Sequence, residues 1–241
     1  DPQRAFVVSA AGVEVRAGCA ASAPLLRDGK VSGVMAPDGE ISAGLVIDAT
    51  GASRWLGRAL GIANPPRSPQ LVARYGYVEG SCPARDDAPL LVGDASGWTW
   101  TARVRPRIYQ WTRVRFGRTD AGGGPPDELA GLAPHGPVRG ADVTWRVADR
   151  TAGPGWFMVG DAAAILDPTS SHGVLKGLMT GMMAAHLGAA CLDQLDRFVN
   201  DHPRRGRLNA TFAFDGDCRM QDRFQHAQLI WIRKHDRSQR L

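Results

Sequence analysis

The sequence predicts a mixed α+β / α/β architecture, and three observations carry that prediction. Residues 1–51 hold short apolar segments separated by Asp-Gly pairs. Residues 71–147 hold longer apolar/polar alternations. Residues 156–190 run from an apolar strand through a polar turn into a long helix of small and apolar residues. At 241 residues the chain is long enough to bury a sizeable core as one or two domains.

The elements follow in order. Phe6-Val7-Val8, Val13-Glu14-Val15, residues 31–35 and residues 45–47 predict about three antiparallel strands that end in a buried one. Asp28-Gly29 and Asp38-Gly39 supply the residues tolerant of positive φ that tight hairpins need. The buried strand exits through Asp48-Ala49-Thr50-Gly51, which by itself reads as a tight exit turn. Ser53 is an N-cap candidate for a short helix over 53–60, with Gly61 as its stop. Asn64-Pro65-Pro66-Arg67-Ser68-Pro69 reads as a stiff linker and domain boundary.

Beyond the linker, residues 71–78, 90–92, 97–105, 108–116 and 142–147 read as strands. A turn falls at Arg105-Pro106-Arg107, a bulge or a two-sided environment near Arg113, where the alternation breaks, and a Gly/Pro loop at 120–126. Trp98, Trp100, Ala102 and Val104 alternate with polar residues and share one face. With Tyr109 and Trp111 they make a sheet suited to an aromatic ligand, or an ordinary aromatic core.

Trp156-Phe157-Met158-Val159 is short enough to be a buried strand, which Gly160-Asp161 ends. Pro168 and Thr169-Ser170-Ser171 form a turn, and Gly173 opens the helix. Unpaired N–H groups and the helix dipole converge at such a terminus, which makes it an anion site. Ser170 or Ser171 as N-cap explains the same polar cluster without a ligand. In the helix, Gly177, Gly181, Ala184 and Gly188 share a face that permits close packing, and further on Met220, Phe224, Ala227 and Trp231 form a single stripe.

Charge and cysteine usage narrow the function classes. Residues 1–196 contain 19 basic and 19 acidic side chains; residues 197–241 contain 10 and 5, so the tail carries the whole net charge of +5. That tail reads as a solvated helix face or as a docking surface for an acidic partner. Aromatic interleaving typical of a nucleic-acid surface is absent elsewhere, so no nucleic-acid partner is expected. Cys19, Cys82, Cys191 and Cys218 are far apart and form no Cys-x-x-Cys pair, which argues against a metal site and for reduced thiols in the cytoplasm. The longest apolar run, 174–191, contains Lys176 and His186 and is marginal in length, so no membrane span is expected.

Gly160, Asp161, Ala162, Ala163, Pro168 and Gly173 resemble the second flavin-contacting motif of the FAD-dependent monooxygenases related to p-hydroxybenzoate hydroxylase. The form Asp167-Pro168-Thr169-Ser170-Ser171-His172-Gly173-Val174 is similar to the tryptophan-halogenase branch, with His172 as an insertion-like departure. Gly97-Trp98-Thr99-Trp100 resembles the halogenase Gly-Trp-x-Trp signature, although Ala102-Arg103 stands where Ile-Pro follows in that family.

The resemblance implies the C-terminal part of a two-domain flavoprotein. Residues 1–66 would belong to the FAD domain, 67–150 to a sheet-rich substrate domain, 151–192 to the second FAD-contacting strand–loop–helix, and 193–241 to a basic helical region. It implies FAD, with Asp161 accepting from a ribityl hydroxyl, Pro168, Ser171, His172, Gly173 and Val174 at the N1/O2 edge of the flavin ring, and Thr50 and Gly51 near the dinucleotide. Trp98, Trp100, Trp111 and His172 become the pocket candidates, with no metal and no single catalytic residue assigned.

The implied activity is hydroxylation of an aromatic, tryptophan-like substrate through a flavin C4a-hydroperoxide, with NAD(P)H or a flavin reductase as electron source. One branch, the peptidyl-tryptophan hydroxylase of quinohemoprotein amine dehydrogenase biogenesis, acts on tryptophan within a polypeptide; the basic tail suits such a protein substrate. Three alternatives stand beside it: a flavin-dependent halogenase, which needs a lysine between flavin and substrate; an isoprenoid-chain reductase of the same fold; and a non-catalytic sheet module with a basic docking tail. No G-x-G-x-x-G fingerprint occurs in the sequence, so it reads as the C-terminal part of a longer protein.

Overall fold

A computed structural model describes residues 12–116 and 124–201. The expected strand at Phe6 and the Met220–Trp231 stripe lie outside the described residues. Chain order begins with a meander of β1 (Ala23–Arg27), β2 (Lys30–Ala36) and β3 (Gly39–Ser42), paired antiparallel. Asp28 (φ 51°) and Gly29 (φ 76°) turn the first hairpin and Gly39 (φ 124°) the second, as the Asp-Gly pairs predict. Val13-Glu14-Val15, expected to be a strand, is exposed and pairs with no strand among the described residues.

β4 (Val46–Asp48) is the strand expected to close this region, and it pairs in parallel with β13 (Trp156–Met158). The short β12 (Ala152–Gly153) completes that sheet in the order β12–β13–β4. Side-chain alternation in β13 feeds two layers. Trp156 and Met158 pack with Val31, Leu56, Ile62 and Ala148, under the meander and α1 (Trp55–Ala59). Phe157 points the other way, into a cluster with Ala152, Val159, Ala184, Leu45 and Leu187 under α2 (Gly173–Asp201). Gly155 makes the β12–β13 turn at φ 79°, with Val31 O 2.0 Å from where a Cβ would stand, so no side chain fits there.

The second sheet has the order β10–β5–β8–β7–β6, with β9 (Ala133–Pro134) also on β5. Its strands are β5 (Val72–Glu79), β6 (Leu90–Asp94), β7 (Gly97–Arg105), β8 (Ile108–Arg115) and β10 (Arg139–Asp142). Two further short strands, β11 (Arg146–Val147) and β14 (Ala164–Ile165), pair with each other as a separate two-stranded sheet. Of the two readings of the broken alternation near Arg113, the two-sided environment holds, since Tyr109 and Trp111 pack on one face of β8 and Val114 on the other; the bulge falls instead in β7, between Arg103 and Arg105, beside the tight turn whose Arg107 has φ 62°.

The large sheet has two apolar faces. One carries Leu71, Ala73, Trp98 and Val114, with Trp100, Val143 and Trp145 alongside. The other carries Val78, Cys82, Tyr109, Trp111 and Leu129. Trp111 is therefore not a pocket residue: period-two alternation puts it on the face opposite Trp98 and Trp100, almost wholly buried, with its ring against Gly76.

α2 packs through Ala184, Met183 and Leu187, and Gly188 lets Leu45 approach so closely that a Cβ would stand 2.4 Å from Leu45 Cδ2. Gly177 and Gly181, expected on the same packing face, look into open space instead. Val174, Leu175, Leu178, Met179 and Met182 are exposed. By length and composition alone, residues 173–192 are apolar enough to cross a membrane.

Truncating the buried indole of Trp111 to alanine should cost about 3–5 kcal/mol of unfolding free energy. The shift of the urea midpoint measures it; a loss no larger than an exposed aromatic gives would contradict the assignment of this ring to the core.

Candidate functional site

The exit of β4 and the exit of β13 lie side by side because the two strands run parallel. After β4, Asp48 is buried and caps α1 from a distance: its carboxylate accepts from Leu56 N–H at 2.9 Å, and from Thr50 N–H (2.9 Å) and Thr50 O–H (2.6 Å). Thr50 Oγ1 in turn accepts from Trp55 N–H at 3.0 Å. Ser53, the expected N-cap, instead donates to Thr50 O; the helix start is satisfied by Asp48 and Thr50, which sequence spacing alone did not single out for that duty. Arg54 stands at the actual N-cap with φ 46°. Its buried guanidinium reaches across to Ala162 O (3.2 Å) and to Ile62 O (3.3 Å). Burial pushes that guanidinium below its ordinary pKa, with Asp48 opposing and the neighbouring Arg58 and Arg146 reinforcing the shift.

After β13, Gly160 (φ 59°) turns the chain into a single 3-10 turn, Gly160–Ala162. The turn is fastened to α2 by two residues one helical turn apart. Thr180 Oγ1 accepts from Gly160 N–H at 2.9 Å, while Lys176 Nζ donates to Asp161 Oδ1 at 2.6 Å and to Ala164 O. The Lys176 side chain is 3% exposed and that of Asp161 49% exposed, so the pair runs from the interior to the surface. Lys176 is a site residue the sequence reading missed; its only signal was a lone lysine in an apolar helix.

The chain then forms the turn Pro168–Ser170. Asp167 is buried, accepts from Thr169 N–H at 2.9 Å, and its carbonyl accepts from Ser170 O–H at 2.8 Å. Ser171 (φ 52°) reverses the backbone so that Gly173, Val174 and Leu175 begin α2 exposed. Among the described residues, neither Ser170 nor Ser171 offers its hydroxyl to the N–H groups of these three; Ser170 Oγ accepts only from His172 N–H, at 3.4 Å. The anticipated serine cap is thus absent from the helix proper. A Cβ added at Gly51, Gly173 or Gly177 would meet nothing within 4 Å, and one at Gly160 would meet only Gly177 Cα at 3.6 Å. The two strand exits and the helix start border open space lined by glycine backbone, the shape that close approach of a dinucleotide and a planar ring requires.

The turn 167–172 stands over the Trp98 face of the large sheet. Between them lies a cleft of about 1140 Å³ lined by Arg67, Asp94, Trp98, Trp145, Asp167 and His172 among others. A neighbouring cavity of about 330 Å³ is lined by Leu91, Trp98, Trp100, Thr112, Pro168, Thr169 and Ser171. The structure therefore brings Trp98, Trp100, Pro168, Ser171 and His172 together. Thr50, Gly51 and Asp161 sit at the strand exits and line neither cavity, while Gly173 and Val174 mark the helix start next to the turn.

No family model matches the chain. BrvH, a flavin-dependent halogenase from Brevundimonas sp. BAL3, superposes with a TM-score of 0.68 over 98% of this chain and 45% of its own, at 17% identity. The fold is that of the flavin-dependent halogenases and related flavoproteins. The myxobacterial chondrochloren halogenase CndH, described as a new variant of FAD-dependent halogenases, superposes with a TM-score of 0.65 over 77% of this chain and 49% of its own, at 21% identity, and FAD is the cofactor expected from the sequence.

Among curated proteins, the digeranylgeranylglycerophospholipid reductase of Methanospirillum hungatei is 25% identical over 217 residues, covering 81% of this chain and 53% of its own. The menaquinone reductase of Mycolicibacterium smegmatis is 35% identical over 86 residues, covering 36% of this chain and 19% of its own. The chain spans about half the length of the first and less of the second.

Replacing Thr180 by valine removes the acceptor for Gly160 N–H and keeps the side-chain shape. The expected cost is about 1–3 kcal/mol, with faster amide exchange at Gly160; unchanged exchange there would show that the bond does not hold the turn.

Proposed function

We propose that this chain supplies the flavin-contacting turn and the substrate sheet of an FAD-dependent enzyme that hydroxylates an aromatic, tryptophan-like substrate. The observation that carries this reading is the start of α2. Among the described residues, Gly173, Val174 and Leu175 at its start are exposed and neither Ser170 nor Ser171 accepts from their N–H groups, and the turn before them roofs a cleft whose floor holds Trp98 and Trp100. A structural helix end with serines to hand is ordinarily capped by them; one left open serves an anionic ligand edge.

When bound, FAD supplies the redox chemistry. The chain's own residues do the rest. The positive end of α2, at Gly173 and Val174, favours negative charge on the N1/O2 edge of a reduced flavin ring. Asp161 accepts a hydrogen bond from a ribityl hydroxyl, and Thr50 and Gly51 give the dinucleotide backbone room. Pro168 and the left-handed Ser171 fix the shape of the turn. Trp98 and Trp100 offer ring faces for stacking an aromatic substrate, and His172 adds a polar group at the mouth of the larger cleft. Residues 1–66 and 151–192 then make one cofactor unit, which the β4–β13 pairing supports, and residues 67–150 the substrate unit.

NAD(P)H or a partner reductase supplies electrons, and the basic tail of residues 197–241 suits a polypeptide-borne tryptophan as substrate. Cytoplasmic location belongs to the same proposal, supported by the free thiols of Cys19, Cys82 and Cys191.

Two other outcomes of the same site have support of their own. The halogenase titles of the matching structures favour halogenation, and the names of the curated relatives favour reduction of an isoprenoid-bearing substrate. Mass spectrometry of product separates them: one added oxygen, one added halogen with halide dependence, or added hydrogen.

Asp161→Ala should weaken FAD binding about tenfold, the loss of one hydrogen bond to a charged acceptor, as read by flavin fluorescence titration; unchanged affinity would remove Asp161 from the site. Trp100→Ala should lower turnover of an aromatic substrate while leaving FAD affinity in place. Equal loss of both, together with a lower melting temperature, would assign Trp100 to the core.

A further inference from the structure

We infer that Lys176 is a positioning residue for the cofactor, setting the Asp161 carboxylate in the orientation that receives a ribityl hydroxyl; this rests on the flavin reading above. Lysine is almost never fully buried unless paired, because desolvating its ammonium is costly. Here the stem runs along the inside of α2 and the head emerges beneath the 160–164 turn, where Ala164 O and Asp161 Oδ1 receive it. An apolar side chain at this position would fill the same space without that cost. What the ammonium adds is a fixed point for one carboxylate oxygen.

Asp161 itself is about half exposed and sits on a single 3-10 turn, an arrangement that leaves a free aspartate several rotamers. Pinned through Oδ1 at 2.6 Å on a half-exposed side chain, the carboxylate is held in one orientation with Oδ2 as its remaining acceptor. The turn's backbone is already held independently by the bond from Gly160 N–H to Thr180 Oγ1. The backbone anchor and the side-chain anchor are therefore separate devices on successive turns of one helix, and Lys176 serves the second.

A double-mutant cycle tests this, with FAD as the titrated ligand and melting temperature recorded in parallel. Lys176→Met keeps the length and burial of the stem and removes the charge. In the parent protein it should weaken FAD binding about tenfold; in an Asp161→Asn background it should change affinity by no more than about twofold, because the residue through which it acts is already altered. Similar losses in both backgrounds, or a lower melting temperature with unchanged FAD affinity, would overturn the assignment and leave Lys176 as a packing clamp.

If the methionine variant does not fold, Lys176→Gln replaces it, with lumiflavin, which lacks the ribityl chain, as second ligand. Affinity should fall for FAD and hold for lumiflavin, and an equal fall for both would again overturn the role. A parent protein that binds no flavin fails at the first titration, which marks failure of the flavin reading rather than of the lysine's part in it.

Discussion

The parallel pairing of β4 with β13 is the constraint on which the rest of the molecule depends. Parallel neighbours need a crossover connection, and here that crossover is the entire large sheet. The pairing sets Trp156 opposite Val46 and Met158 opposite Asp48, so both strands end at the same level. Every feature of the candidate site follows from that level: the Thr50–Gly51 exit, the Gly160–Ala162 turn beside it, and the arginine of one turn bonded to a carbonyl of the other.

The same pairing fixes what lies above the cleft. Once β13 is placed, the short β14 pairs with β11, next to the end of the large sheet, and the turn 167–172 projects over the face that carries Trp98 and Trp100. The opposite face closes on its own core around Trp111 and Tyr109, whose hydroxyl donates to Asp86 at 2.6 Å and accepts from Cys82 N–H at 3.0 Å. One face of the sheet thus closes on its own core, and the other packs around Trp98 and Val114 while bordering the cleft under the turn 167–172. The fold itself is common to enzymes whose names describe halogenation and reduction, and fold does not choose among chemistries; the cleft's aromatic lining is the chain's own contribution to that choice.

Much of this was legible in the residues. The Asp-Gly hairpins, the Trp98/Trp100 alternation and the apolar run into Gly160-Asp161 are local patterns with local causes, and each stands where the spacing puts it. The failures are equally physical. Val13 and Val15 have strand composition but meet no partner strand among the described residues. Ser53 has the chemistry of an N-cap, yet Asp48 reaches the same N–H groups from the preceding strand. Gly177 and Gly181 repeat the spacing of Gly188 but face open space, because only the later turns of α2 reach the sheet.

Sequence by itself determined the type and order of the elements, the one-sided placing of the two tryptophans, and the polar turn before a glycine-led helix, since propensity and periodicity act over a few residues. Only the tertiary structure decided that Trp111 belongs to the hidden face and that Lys176 lies buried beneath Asp161. Both outcomes depend on contacts between segments apart in the chain, and no local pattern encodes which distant group will meet a given side chain.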